Sequence, residues 1–313
     1  MRLEDMITSY ITQQRSLGKR YLAEANILAA FRRSIGDMSA RDIRPEMILR
    51  FVDLGRTSDE TRNRRYRVLK GLLFFAVTRG LLSASPMPKR QRKRSYSSYI
   101  PYIYSEAELK RLFAAIPAAT EVMKAIDADT LRTFLLLLYG AGLRHGEAVR
   151  LKIEDVDLEQ ALIHIRQTKF FKTRIVPLND SLATVLRAFV ARANNRYAAA
   201  SESWLFCGRD STPLCSATLR VAFRRLRAIA NIRRSGGARN QPRMHDLRHS
   251  AAVHRVTAWY RSNADLNDLL PKLATYLGHA SLSGTQRYLT MTHELLAEAS
   301  SRFEAFAGGQ HHG

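Results

Sequence analysis

Apolar residues recur at helical spacing along most of the chain, and only one short stretch switches to the clustered β-branched pattern of strands. Ile7, Tyr10, Ile11 and Leu17 form a first helical set, and Leu22, Ile27, Leu28 and Phe31 a second. Pro45-Glu46 opens a segment in which Met47, Ile48, Phe51 and Val52 share a face. Thr57-Ser58-Asp59-Glu60 has the capping pattern of a helix start, predicting a helix from Arg62 to Val77 that stops near Gly80. Together these define a small all-helical domain over residues 1–85. Residues 86–104 contain Pro86, Pro88, Pro101 and a run of cations, the marks of an extended basic linker.

A second domain is predicted over residues 105–313. Ser105-Glu106-Ala107-Glu108 is another capping-box start, and Thr130 to Tyr139 reads as a strongly apolar helix ending near Gly140-Ala141-Gly142. Ala161 to Ile165 and Arg174 to Leu178 read as two short strands of a hairpin around residues 167–173, with Asp155 and Asp157 in the turn before it. Helices are predicted from about Ser181, Ser216, Met244, Leu266 and Thr285. The fold class is therefore mainly α, with a small β-sheet or hairpin in the second domain. The most apolar run, around Phe134 to Leu138, is far short of the roughly 20 residues needed to cross a bilayer, so no membrane partner is expected.

Charge narrows the function. The chain of 313 residues carries 50 Lys and Arg against 28 Asp and Glu, a net charge of +22. Such an excess calls for an anionic partner, and the nucleic-acid backbone is the commonest one. The cations are clustered: no acid lies between Glu60 and Glu106, whereas Arg62, Arg64, Arg65, Arg67, Lys70, Lys89, Arg90, Arg92, Lys93 and Arg94 all do. With no acid inside that stretch to pair with them, these residues are the candidate DNA contacts. From Ser211 to Ala264, Asp246 is the one carboxylate among eleven arginines. Cys207 and Cys215 are too few for a disulfide framework and lack metal-ligand spacing with histidines, which points to a cytoplasmic protein without a metal.

The chemistry is concentrated in separated boxes: Gly142-Leu143-Arg144-His145-Gly146-Glu147, then His245-Asp246-Leu247-Arg248-His249, then Leu277-Gly278-His279 with Tyr288 nine positions on. Cleaving a phosphodiester without a metal requires cations for the nonbridging oxygens, a nucleophile, and an acid for the departing 5′ oxygen. Arginine suits the first task, because its planar fork donates bidentately to phosphate and stays charged. Arg144 follows the end of a buried helix, and Arg248 lies one turn from His245 on a predicted helix, so Arg248 and His245 can face the same point.

In these boxes the chain resembles the tyrosine recombinase (phage integrase) family, in its mobile-element branch. Lys169, at the tip of the hairpin, matches the family's hairpin lysine, although Lys172 lies only three residues away; counting back from Ile175-Val176-Pro177-Leu178 favours Lys169 and leaves Lys172 as a phosphate contact. The resemblance spans roughly residues 105 to 295 and implies a helical core-binding domain and a catalytic domain closing as a C-shaped clamp on double-stranded DNA. It implies that Tyr288 attacks the scissile phosphate to leave a 3′-phosphotyrosyl link. Arg144 and Arg248 would clamp the phosphate, His279 would add a hydrogen bond, Lys169 would protonate the leaving oxygen, and His245 would assist proton movement at a phenol of ordinary pKa about 10. Glu147 would support the arginine site, and no cofactor is implied. It further implies a homo-tetramer acting on two DNA sites through a Holliday junction, with a monomer or dimer off DNA. The apolar face of Leu295, Leu296, Phe303 and Phe306 suits docking either on its own domain or on a neighbour.

Three other readings fit parts of the pattern. A metal-dependent nuclease would need converging carboxylates, and Asp155 and Asp157 lack a third partner. A non-catalytic DNA-binding protein on the same scaffold and a type IB topoisomerase would share most of the residues. The stretch from Trp259 to Lys272 and the wording Leu270-Pro271-Lys272 resemble recombinases of transposons more than compact, chromosome-resolving ones.

Overall fold

The computed structural model describes residues 1–55, 58–89, 100–166, 173–196 and 204–278. The chain divides into two compact units, Met1–Ser98 and Tyr99–Gly313. Each has its own apolar core.

In the first unit four helices follow one another: α1 (Leu3–Ser16), α2 (Leu22–Ile35), α3 (Pro45–Val52) and α4 (Asp59–Thr78). Pro45 begins α3, where its missing N–H costs no hydrogen bond. Ser58 caps α4 by accepting the Thr61 amide. Leu3, Met6, Leu28, Phe31, Ile48, Leu69 and Leu72 are almost wholly buried, so each helix contributes an apolar stripe to one centre.

The second unit begins with α5 (Glu106–Ala114), whose Ser105 and Glu108 form the full reciprocal capping box, followed by the short α6 (Ile116–Thr120). The central element is α7 (Ala128–Gly140), capped by Asp127 and buried along Phe134, Leu135, Leu137 and Leu138. After it come α8 (His145–Ala148) and three strands, β1 (Val156–Asp157), β2 (Leu162–Ile165) and β3 (Arg174–Pro177), then α9 (Asp180–Arg196), α10 (Ser216–Ile229), α11 (Asp246–Arg261) and α12 (Leu266–Leu277). Helix α7 packs against α6, α9 and α11, and α12 lies on α11 and along β3. Ala252, Val253 and Val256 of α11 meet Leu270, Leu273 and Leu277 of α12 in a separate apolar cluster.

The sheet is antiparallel in the order β1-β2-β3, with Ile163 opposite Val176 and Ile165 opposite Arg174. It has one strand more than the predicted hairpin: Val156 and Asp157 pair with Ile163 and Leu162 instead of forming a plain turn. Two residues are too short a run to show alternation, so only the pairing reveals them as a strand. The predicted helix from Thr285 lies outside the described residues.

Candidate active site

The local chain path explains how Arg144 comes to a fixed place. Helix α7 stops where Gly142 adopts φ +60°, a left-handed conformation open to glycine, and a Cβ there would lie 2.7 Å from Leu277 Cδ2. Leu143 is then buried, and Arg144 in extended conformation precedes α8. Glu147, one turn on, accepts the Arg144 amide at 2.9 Å through Oε2 and the Arg144 Nη1 at 2.7 Å through Oε1. A four-residue helix thus carries its own carboxylate brace.

Arg248 reaches the same place from α11. It is 1% exposed, and its two terminal nitrogens donate to the carbonyls of Gly142 and Leu277. Arg144 Nη2 donates to the Gly278 carbonyl. A third guanidinium, that of Arg174 at the start of β3, donates through Nε to the Tyr276 carbonyl at 3.1 Å and grips both oxygens of Glu147 at 2.8 Å each. Three consecutive carbonyls at the C-terminus of α12 therefore each receive an arginine. Those carbonyls have no partner within the helix and mark the negative end of its dipole, which is why cations collect there.

Glu147 supplies one negative charge against three guanidinia, so the cluster holds a surplus of two positive charges. Burial pushes the Glu147 carboxyl up, but hydrogen bonds and charge from Arg174, with the Arg144 bonds, outweigh it and bring it down to about 2. His245, at the start of α11, is pushed down to about 4, first by burial and then by Arg248 and Arg144. It is therefore neutral near pH 7, its protonated form disfavoured by the cations around it. His249 stacks edge-on against it, ring centroids 4.8 Å apart. His145 Nε2 lies 2.9 Å from Ser216 Oγ. Among the described residues no group of three or more His, Cys, Asp or Glu could hold a metal ion.

A surplus of fixed guanidinium charge beside a neutral histidine suits a phosphate. The model of the phage integrase family matches residues 104–294. The chain belongs to the phage integrase family. It is a tyrosine-type site-specific recombinase. The "Putative integrase/recombinase y4rE" of Sinorhizobium fredii is 34% identical over 98% of this chain and 97% of its own. The tyrosine recombinase XerA of Pyrococcus furiosus is 30% identical over 71% of this chain and 70% of its own. The Tn1549 transposon integrase, solved in complex with transposon right end DNA, superposes with a TM-score of 0.67 at 14% identity, covering 98% of this chain and all of that one. That last likeness shows the common fold.

In the recombinase, the structure brings Arg144, His245 and Arg248 together. Lys169, Lys172, His279 and Tyr288 lie outside the described residues. Their chain neighbours are placed: Ile165 and Arg174 sit opposite each other on β2 and β3 either side of Lys169, and Gly278 directly precedes His279. Sequence reasoning missed Arg174. Nothing local separates it from the other 49 of the 50 cationic residues, since its partner Glu147 is 27 positions away.

The basic face of α4 differs from its sequence reading. Acids from outside the acid-free stretch reach its arginines: Arg62 pairs with Asp53 at 3.5 Å and Asp59 at 3.2 Å, Arg64 with Glu24 at 2.8 Å, and Arg67 with Glu60 at 3.4 Å. Arg65 donates to the carbonyls of Phe51, Val52 and Leu54 and lies 5.2 Å over the Phe51 ring, so it closes the end of α3. Lys70 and Lys89 are exposed. Arg90, Arg92, Lys93 and Arg94 lie outside the described residues.

Proposed function

We propose that this recombinase cuts and rejoins double-stranded DNA through a covalent bond to Tyr288. The observation that carries this reading is the convergence of Arg144 and Arg248 on the end of α12, one residue before His279 and ten before Tyr288. The Tyr288 phenol oxygen attacks the scissile phosphorus and gives up its proton to neutral His245. The bond to the 5′ oxygen breaks, and that oxygen takes a proton from Lys169. The product is a 3′-phosphotyrosyl link and a free 5′ hydroxyl, so the bond energy is kept for rejoining. Arg144 and Arg248 bind the nonbridging phosphate oxygens, with His279 donating one more hydrogen bond.

Arg62, Arg64, Arg67, Lys70, Lys89, Arg90, Arg92, Lys93, Arg94 and Lys172 supply the phosphate contacts that hold the duplex. Four copies on two sites would exchange strands through a Holliday junction. Relatedness to an integrase/recombinase and likeness to a transposon integrase favour service to a mobile element. Two unpaired cysteines suit the reducing cytoplasm, and no helix among the described residues is long and apolar enough to cross a membrane.

The test is to mix the protein, in a chelator, with nicked duplexes tiling the DNA on either side of its coding sequence. Wild type is expected to give a detergent-resistant protein–DNA complex that Tyr288→Phe does not form. Binding without such a complex would leave only a DNA-binding scaffold, and a strict magnesium requirement would point to a nuclease.

A further inference from the structure

We infer that Arg174 is a positioning residue for strand cleavage, one that holds Arg144 and the end of α12 in a single frame; the inference rests on the phosphotyrosine reading above. Its guanidinium is the link between three elements. The fork takes both oxygens of Glu147 at 2.8 Å, while the same carboxylate holds the Arg144 amide and Nη1. Its Nε holds the Tyr276 carbonyl, and Gly278 passes so close that a Cβ there would lie 2.9 Å from Arg174 Nη1. Its own backbone begins β3, five positions after Lys169 in the sequence.

Exposure and partners set Arg174 apart from Arg144. The Arg174 side chain is 12% exposed and the Glu147 side chain 4%, whereas Arg144 is 37% exposed. Arg144 has an open edge for a phosphate, while Arg174 is enclosed by its partners and acts through Arg144. Without Arg174, the buried Glu147 carboxylate would retain one guanidinium and turn toward it, drawing Arg144 from its place. A lysine keeps the charge but cannot reproduce the two-pronged grip or the third bond to Tyr276.

The experiment measures single-turnover cleavage of a saturating nicked duplex that wild type cleaves, for Arg174→Ala, Arg174→Lys and Glu147→Gln. Each protein also meets the same duplex with a methylphosphonate at the scissile position, which removes the nonbridging negative charge that Arg144 serves. DNA affinity is expected to stay within about 3-fold of wild type, while cleavage of the natural phosphate falls by about 100-fold in Arg174→Ala and about 10-fold in Arg174→Lys, the scale of loss that misplacement by an ångström produces. On the methylphosphonate duplex most of that deficit should disappear, which loss of fold alone would not do. If Arg174→Ala does not fold, Arg174→Lys carries the test. A folded Arg174→Lys that cleaves as fast as wild type, or a deficit equal on both duplexes, overturns the inference. Failure of wild type itself to form the covalent complex overturns the phosphotyrosine reading instead.

Discussion

Arginines are used in two contrasting ways in the two units of this protein. On α4, Arg64 and Arg67 extend over the surface, their side chains 46% and 59% exposed, and pair with glutamates that are themselves partly open to water. Around the end of α12, Arg174 and Arg248 are enclosed and meet fixed acceptors, Glu147 and the carbonyls of Gly142, Tyr276 and Leu277. An exposed ion pair contributes only about 0–1 kcal/mol, so a DNA phosphate can replace the glutamate at little cost. A buried guanidinium that loses its partners leaves charge and carbonyls without solvent to replace them. The first arrangement suits affinity that varies with salt, the second suits geometry that chemistry requires.

The sharpest way to break this contrast is Arg248→Ala. It deprives two buried carbonyls of their donor, and unfolding in denaturant should show a loss of about 2–4 kcal/mol. Single-turnover cleavage should fall by about a thousandfold, in line with removal of a key charge-stabilising donor. A near-native melt with near-native cleavage would remove Arg248 from the enclosed class.

A second prediction concerns pH. His245 takes a proton at about 6.5 when unfolded but only near 4 when folded, so the unfolded state binds more protons between those values. Stability should therefore decline as pH falls from about 6.5 to about 4, and His245→Gln should flatten that decline. Glu147, down at about 2, adds a further loss as pH falls below its ordinary value of 4.5. Urea melts across the pH series read both windows. Insensitivity of wild type between pH 7 and 4 would contradict the enclosed, cation-flanked placement of His245.

Arg65 tests the contrast within a single helix. Its three backbone acceptors make it resemble the enclosed class, so Arg65→Ala should cost about 1–2 kcal/mol in a thermal or denaturant melt. Its DNA affinity should stay close to wild type. Arg64→Ala and Arg67→Ala should do the opposite: stability within about 0.5 kcal/mol of wild type, and a slope of log affinity against log salt reduced by about one for each phosphate left without its arginine. Equal salt slopes for all three variants would erase the distinction.

Much of the fold was legible because it depends on local signals. The Ser58 and Ser105 caps, the helix-breaking Gly140-Ala141-Gly142 run and the β2 and β3 strands each announce themselves within a few residues. The two-residue β1 did not, because a strand so short is defined by its neighbour. The boxes around Arg144 and Arg248 were legible as residue types in order, yet their occupation by the α12 carbonyls was not, since those hydrogen bonds join positions 134 and 29 apart. The same limit hid Arg174 and misjudged α4. Absence of acids within a stretch of sequence says nothing of Glu24, which lies 40 positions from Arg64 and pairs with it.

The most direct measurement is the identity of the covalent bond. Wild-type protein trapped on a nicked duplex, digested with protease and sequenced by mass spectrometry, should yield the peptide around Tyr288 carrying a nucleotide through its 3′ phosphate. The released strand should bear a 5′ hydroxyl that a polynucleotide kinase can label. A nucleotide on any other residue, or a linkage through a 5′ phosphate, would contradict the assignment of Tyr288 and the polarity of the cut.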